Sequence, residues 1–128
     1  MQYVTTEGTK GICPTGWHLP ADTEWTTLTD YLGGLLLAGG KMKEAGFAHW
    51  TSPNTEATNS SGFTALPGGY RNGNSYFYEL AYFAYFWSST QYDATHAWNR
   101  GLGYDDEMEY RSNGTLKTFG FSGRCLKD

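Results

Sequence analysis

After Pro20 the chain places Trp25, Leu28, Tyr31, Leu32 and Leu35 three and four residues apart, the spacing of one apolar stripe along a helix. Pro20 stands just ahead of the first turn, Asp22 and Glu24 suit the positive end of a helix dipole, and Gly33-Gly34 ends the pattern. These signals predict a helix over about 22–33, and residues 35–45 fit a second, shorter one. From there to about residue 75 the pattern breaks up among turn formers: Ser52-Pro53-Asn54, Asn59-Ser60-Ser61-Gly62, Pro67-Gly68-Gly69 and Asn72-Gly73-Asn74. So long an irregular stretch has a function or is held by something. Tyr76 to Ser89 is dense in aromatics and reads as a strand or hairpin pair around Ala81-Tyr82. Trp98, Arg100, Leu102 and Tyr104 then alternate with Asn99, Gly101 and Gly103, the period of a strand with two unlike faces. Asp105-Asp106-Glu107 is an acidic turn, Met108 to Arg111 begins a return strand, Asn113-Gly114 is a hairpin signal, and Lys117 to Leu126 is the final strand. One α+β domain over residues 1–128 follows, with an early helix, an antiparallel sheet of short strands and long loops.

Composition sharpens this picture. A chain of 128 residues can bury a core of its own. Five Trp, ten Tyr and seven Phe carry much of its apolar content, so large rings with polar handles replace aliphatics. The net charge of −4 argues against nucleic acid or an anionic membrane surface as partner. Membrane insertion is excluded on length, since Leu35-Leu36-Leu37-Ala38 falls far short of the roughly 20 apolar residues that span a bilayer. Cys13 and Cys125, if paired, would close almost the whole chain into one loop; two buried free thiols are the alternative. A disulfide implies an oxidising compartment, hence an extracellular or cell-surface domain. Met1-Gln2-Tyr3-Val4 has neither the basic start nor the apolar stretch of a signal peptide, so an exported chain would be a mature fragment, an excised domain or a truncated reading frame.

Gly11-Ile12-Cys13-Pro14-Thr15-Gly16-Trp17-His18-Leu19-Pro20, followed by Glu24-Trp25 and Leu28, carries a family resemblance. Ala65-Leu66-Pro67-Gly68-Gly69-Tyr70-Arg71, Phe86-Trp87-Ser88-Ser89-Thr90, Ala97-Trp98 and Gly120-Phe121-Ser122 with Arg124-Cys125 continue it in order. From about residue 9 to 128 the chain resembles the Fibrobacter succinogenes major paralogous domain, a family of exported bacterial proteins. The family's further N-terminal portion is missing, so the expectation is either an incomplete domain or a first strand supplied by residues 1–10. More distantly, Leu19-Pro20 with Glu24-Trp25, Gly68-Gly69 and Gly120-Phe121 with Arg124-Cys125 are similar to formylglycine-generating enzymes and to diversity-generating variable proteins. That similarity implies a C-type-lectin-like fold, whose terminal strands pair and would bring Cys13 and Cys125 together. The variable proteins display changeable residues on a late strand-turn-strand region, which corresponds here to residues 99–119.

Several chemistries compete for the polar residues. His18, His49 and His96 lack the spacing of a zinc site, so no metal site is assigned. Nothing matches the active-site cysteines of the formylglycine enzymes. Lectin calcium motifs are approached only by Ser52-Pro53-Asn54 and Trp98-Asn99-Arg100, both without the acids a hard cation needs, although a structural calcium near Asp105 to Glu109 is chemically compatible. No other cofactor is implied. Trp17, Trp25, Phe86, Trp87 and Trp98 are expected in the core, with Arg100 and Arg124 in structural ion pairs. Tyr92, Asn99, Tyr104, Asp105, Asp106, Glu107, Tyr110 and Asn113 are the expected ligand-binding set, because aromatic faces stack on sugar rings while amides and acids bond hydroxyls. The leading expectation is a non-catalytic module for polysaccharide on residues 92–119. A cell-surface protein is the alternative ligand. A glycoside hydrolase using a pair among Asp93, Asp105, Asp106 and Glu107 is the alternative activity.

Overall fold

A computed structural model describes residues 11–128, so the first strand expected from residues 1–10 lies outside the described residues. Helix α1 spans Asp22–Tyr31 and α2 spans Leu35–Met42. Glu24 reaches back to accept from the Ala21 N–H at 2.8 Å, which satisfies one of the free donors at the start of α1. Gly33 and Gly34, with φ of 103° and 90°, make the corner between the helices that residues with side chains rarely adopt. Along α1, Asp22, Trp25 and Thr29 are buried, so the inward stripe carries a charge as well as rings.

The helices cover a three-stranded antiparallel sheet of β4 (Phe83–Gln91), β5 (His96–Gly103) and β6 (Glu109–Leu116), with β5 in the middle. Two short pairs complete the architecture: β1 (Trp17–His18) with β7 (Leu126–Lys127), and β2 (Tyr70–Arg71) with β3 (Phe77–Tyr78). Between the helices and the sheet lies the main core of Trp25, Leu32, Met42, Trp50, Phe86 and Leu102. Gly39 sets how closely α2 approaches β6, because a Cβ there would stand 2.1 Å from the Met108 carbonyl.

Strand β4 is apolar on both faces, and each face has its own cover. Ala84 and Phe86 point into the main core. Phe83, Tyr85 and Trp87 alternate to the other side and build an aromatic layer: Phe83 stacks on Tyr85 at 6.0 Å, and Phe121 stacks on Tyr85 at 4.9 Å and on Trp87 at 4.4 Å. Trp87 also joins Cys13, Leu19 and Ala97 in a second, smaller core beneath the disulfide.

Several sequence expectations need correction. Asn113-Gly114 is no hairpin; neither residue has positive φ, and both lie inside β6. Ala97 faces Thr115 and Asn99 faces Ser112, so these two residues oppose Trp98 alone as a bulge. Asn99 braces it, donating to the Ser112 carbonyl at 3.3 Å and to Thr115 Oγ1 at 3.0 Å. Strands β3 and β4 flank a turn near Ala81 but pair with β2 and β5 instead of with each other. Residues 117–125 are mostly irregular, joined to the strands by the isolated bridges Arg71–Gly120 and Phe86–Ser122. Trp17 is 40% exposed, and Trp98 packs between Tyr92 and Arg111, outside both cores.

Arg100 crosses from β5 to α1. It donates to Asp22 Oδ1 at 2.8 Å, to Glu109 Oε1 at 3.2 Å and to Thr26 Oγ1 at 3.0 Å, and is only 1% exposed. Burial opposes ionisation of Asp22, yet the Arg111 and Arg100 guanidiniums outweigh it and hold the carboxyl below its ordinary value. The expected ion pair of Arg100 is therefore present. Arg124 departs from expectation: it is exposed, lies 4.2 Å over the Phe63 ring and donates to the Phe63 carbonyl.

The two ends of the described segment meet where Cys13 and Cys125 form a disulfide with Cα atoms 5.8 Å apart, beside the β1–β7 pair. His18 sits there between two carboxylates, with Nδ1 2.6 Å from Asp128 and Nε2 3.0 Å from Glu24. The hydrogen bond to Asp128 and then that to Glu24 raise its pKa above the ordinary histidine value. Replacing both cysteines by serine removes a loop closure of 112 residues, and chemical denaturation should show a loss of about 4–5 kcal/mol. Because the folded pKa of His18 is raised, its contribution is full below about pH 6.5 and fades as pH climbs through the raised value. Against His18→Gln, the wild-type advantage in unfolding midpoint should be widest at about pH 6 and close towards about pH 9.

Candidate functional site

The structure divides the expected ligand-binding set into two groups at opposite ends of β5. Tyr104, Asp105, Asp106, Glu107 and Tyr110 gather where β5 turns into β6. Tyr92 and Asn113 lie near Trp98, at the β4–β5 end, where the Tyr92 and Trp98 rings meet edge to face at 5.8 Å. Five residues of strand separate these ends, roughly 17 Å at about 3.4 Å per residue. Asn99, between them, is only 3% exposed and is committed to the bulge.

The acidic end is built around a cation of the chain's own. Lys43, just after α2, is fully buried, and its ammonium donates to the carbonyls of Gly103 and Thr55 at 2.9 Å and of Asp106 at 2.7 Å. Burial lowers its pKa, and the charges of Asp106, Asp105 and Glu107 pull the other way. The turn that suggested a calcium ion thus already surrounds an ammonium. Tyr110 donates to Asp106, a bond that pushes the phenol pKa up to about 12. Tyr104 is half-buried, edge-on to Tyr82 at 5.1 Å. The amide of Asn54 is also internal, donating to the carbonyls of Glu44 and Gly46, so both lectin-like amides, Asn54 and Asn99, serve the scaffold.

The candidate acids are dispersed in the same way. Asp93 sits at the Tyr92 end, so with Asp105, Asp106 or Glu107 it exceeds the roughly 5 to 9.5 Å of a glycosidase pair. The Thr95 backbone N–H, then His96, hold its carboxyl far below the ordinary range, the reverse of a proton donor. Glu109 is the acid that burial pushes upward, and it is sealed beneath α1 by Thr29 and Arg100. Among the described residues, no three of the His, Cys, Asp and Glu side chains come together as a metal-binding group.

A groove that the sequence reading passed over lies beside the aromatic layer. It encloses about 340 Å³, with Tyr70, Arg71, Phe77, Phe121 and Ser122 among its walls. The β2–β3 register sets Arg71 directly opposite Phe77, so these two side chains share one face of the ribbon. Tyr70, opposite Tyr78, takes the other face and stacks on Tyr78 at 5.5 Å and on Phe119 at 5.8 Å. Phe77 is 78% exposed and continues an exposed run through Tyr76, Tyr78 and Leu80. Gly69, with φ of 60°, lets the ribbon close, since a Cβ there would stand 2.1 Å from the Tyr78 carbonyl. The signal was available in Tyr76-Phe77-Tyr78, three consecutive rings, which no two-residue alternation can bury on one face. A second hollow of about 270 Å³, between α1 and the C-terminal segment, is walled largely by Trp25, Leu28, Phe63 and Leu126.

Early helices over an antiparallel sheet, a Cys13–Cys125 disulfide and an open aromatic groove define a disulfide-closed α+β domain. It belongs to a known family: the model of the Fibrobacter succinogenes major domain matches residues 2–127, reaching further towards the N-terminus than the resemblance from about residue 9. No curated protein and no solved structure matches the chain. No helix among the described residues is long and apolar enough to cross a membrane.

Removing the internal cation tests the acidic end. Lys43→Met keeps most of the stem and leaves three carbonyls without that donor. It should cost on the order of 3 kcal/mol in chemical denaturation, with added calcium failing to restore it.

Proposed function

We propose that this chain is an exported, non-catalytic binding module of C-type-lectin-like fold that holds polysaccharide in the groove of Tyr70, Arg71, Phe77 and Phe121. The observation that carries the reading is Phe77, 78% exposed and side by side with a guanidinium on the wall of a 340 Å³ groove. Leaving such a ring in water forgoes about 2 kcal/mol of burial, a cost that a ligand would recover. Sugar rings present apolar C–H faces to an aromatic and hydroxyls to the polar groups around it, here Arg71 and Ser122. The disulfide supports an oxidising compartment. The paired ends and early helix support the fold assignment.

This reading moves the binding surface away from residues 92–119, whose exposed members fall into two separated groups. The test is retention on a panel of insoluble and soluble polysaccharides, with reducing ends measured in the same samples. Wild type should be retained by at least one polymer without releasing sugar. Phe77→Ala should bind about tenfold more weakly, whereas Tyr92→Ala and Tyr110→Ala should bind as wild type does. Loss on Tyr110→Ala instead would return the site to the acidic end. Sugar release would favour a hydrolase. Retention by no glycan would leave a cell-surface protein as the ligand.

A further inference from the structure

Arg71 is unusual among the arginines of this chain. Arg100 and Arg111 face carboxylates, with Asp22 shared between them. Arg124 is stacked on Phe63. Arg71 is half-buried on the groove wall and donates only to neutral acceptors at long range: the Asn72 carbonyl at 3.4 Å, Ser75 Oγ at 3.2 Å and the Thr118 carbonyl at 3.3 Å. No carboxylate pairs with it among the described residues. In a chain of net charge −4, a guanidinium facing an open groove without an acid is a positive site that the fold itself leaves unneutralised.

The space around it is kept clear. A Cβ at Gly120 would stand 3.2 Å from both Cβ and Nε of Arg71, so the bare backbone there gives the side chain its room. Glu79, on the turn after β3, is occupied by the Tyr85 hydroxyl at 2.7 Å. We infer that the groove selects acidic polysaccharide, seating a uronate carboxylate on Arg71 while a sugar ring of the same chain lies on Phe77. Guanidinium and carboxylate match as a planar fork, and an adjacent ring face is what a pyranose carrying that carboxylate requires. The inference rests on the groove being the glycan site. It adds that charge, in the form of a carboxylate, decides which glycan is taken.

The experiment compares polygalacturonate with its methyl ester, which keeps the ring and removes the charge, and with dextran sulfate, which keeps a charge and removes the carboxylate. Affinities are measured on wild type, Arg71→Gln and Arg71→Lys. Wild type should prefer polygalacturonate over the ester at least tenfold and over dextran sulfate clearly. Arg71→Gln should lose the preference, binding acid and ester with similar affinity, and Arg71→Lys should keep part of it. Equal wild-type affinity for acid and ester overturns the acid selectivity but leaves a glycan site on Phe77 standing. Stronger binding of dextran sulfate overturns carboxylate recognition in favour of simple charge. An unchanged preference in Arg71→Gln, with near-ultraviolet circular dichroism like wild type, removes Arg71 from the role. Binding of none of the polymers, neutral glycans included, overturns the glycan reading itself.

Discussion

Everything in this domain hangs on the guanidinium of Arg100. It is fully enclosed, and its partners come from two elements: Asp22 and Thr26 from α1, Glu109 from the start of β6. Removing water from three charges is costly, and the geometry recovers that cost only when all partners are in place together. The helix layer is therefore fixed against the sheet in one register, with Asp22 gripped from the other side by Arg111. The hydrophobic core between the layers is rich in rings, with Trp25, Phe63 and Phe86 in mutual contact. The ion network adds directional contacts between helix and sheet that apolar packing lacks.

A second constraint follows from β4 being apolar on both faces. An antiparallel strand usually turns one face to water, but here the outer face carries Phe83, Tyr85 and Trp87. Those rings need a cover, and the irregular segment through Phe119 and Phe121 supplies it together with Tyr70. The cover is incomplete at the β2–β3 ribbon, and the gap is the groove. The candidate site is thus the unfinished margin of a second core, which explains why it is aromatic and why its lone charge stands out.

Signals confined to a few neighbouring residues were legible in the sequence. The stripe from Trp25 to Leu35 and the stop at Gly33-Gly34 marked α1, and the alternation around Leu102 marked β5. Arg100 was readable as an ion pair because it shares a face with Trp98 and Leu102. What depended on distant partners was not readable. Asn113-Gly114 has the composition of a turn, but pairing along β5 makes it a bulge within a continuing strand. Glu109 looks like one more acid in a solvated run, and only its place opposite Leu102 turns it inward to Arg100. Lys43 carries no local hint of burial, since the carbonyls that hold it belong to residues 55, 103 and 106. The groove was missed for the same reason: Arg71 and Phe77 become neighbours only through β2–β3 pairing.

The joined ends also have a mechanical meaning. A tensile load entering ahead of Cys13 and leaving after Cys125 passes through the covalent link between them, and the 112 residues of sequence separation are bypassed. Helices, sheet and groove then bear no traction. Pulled by those two points, the domain would lengthen little, because only residues outside the covalent link can extend.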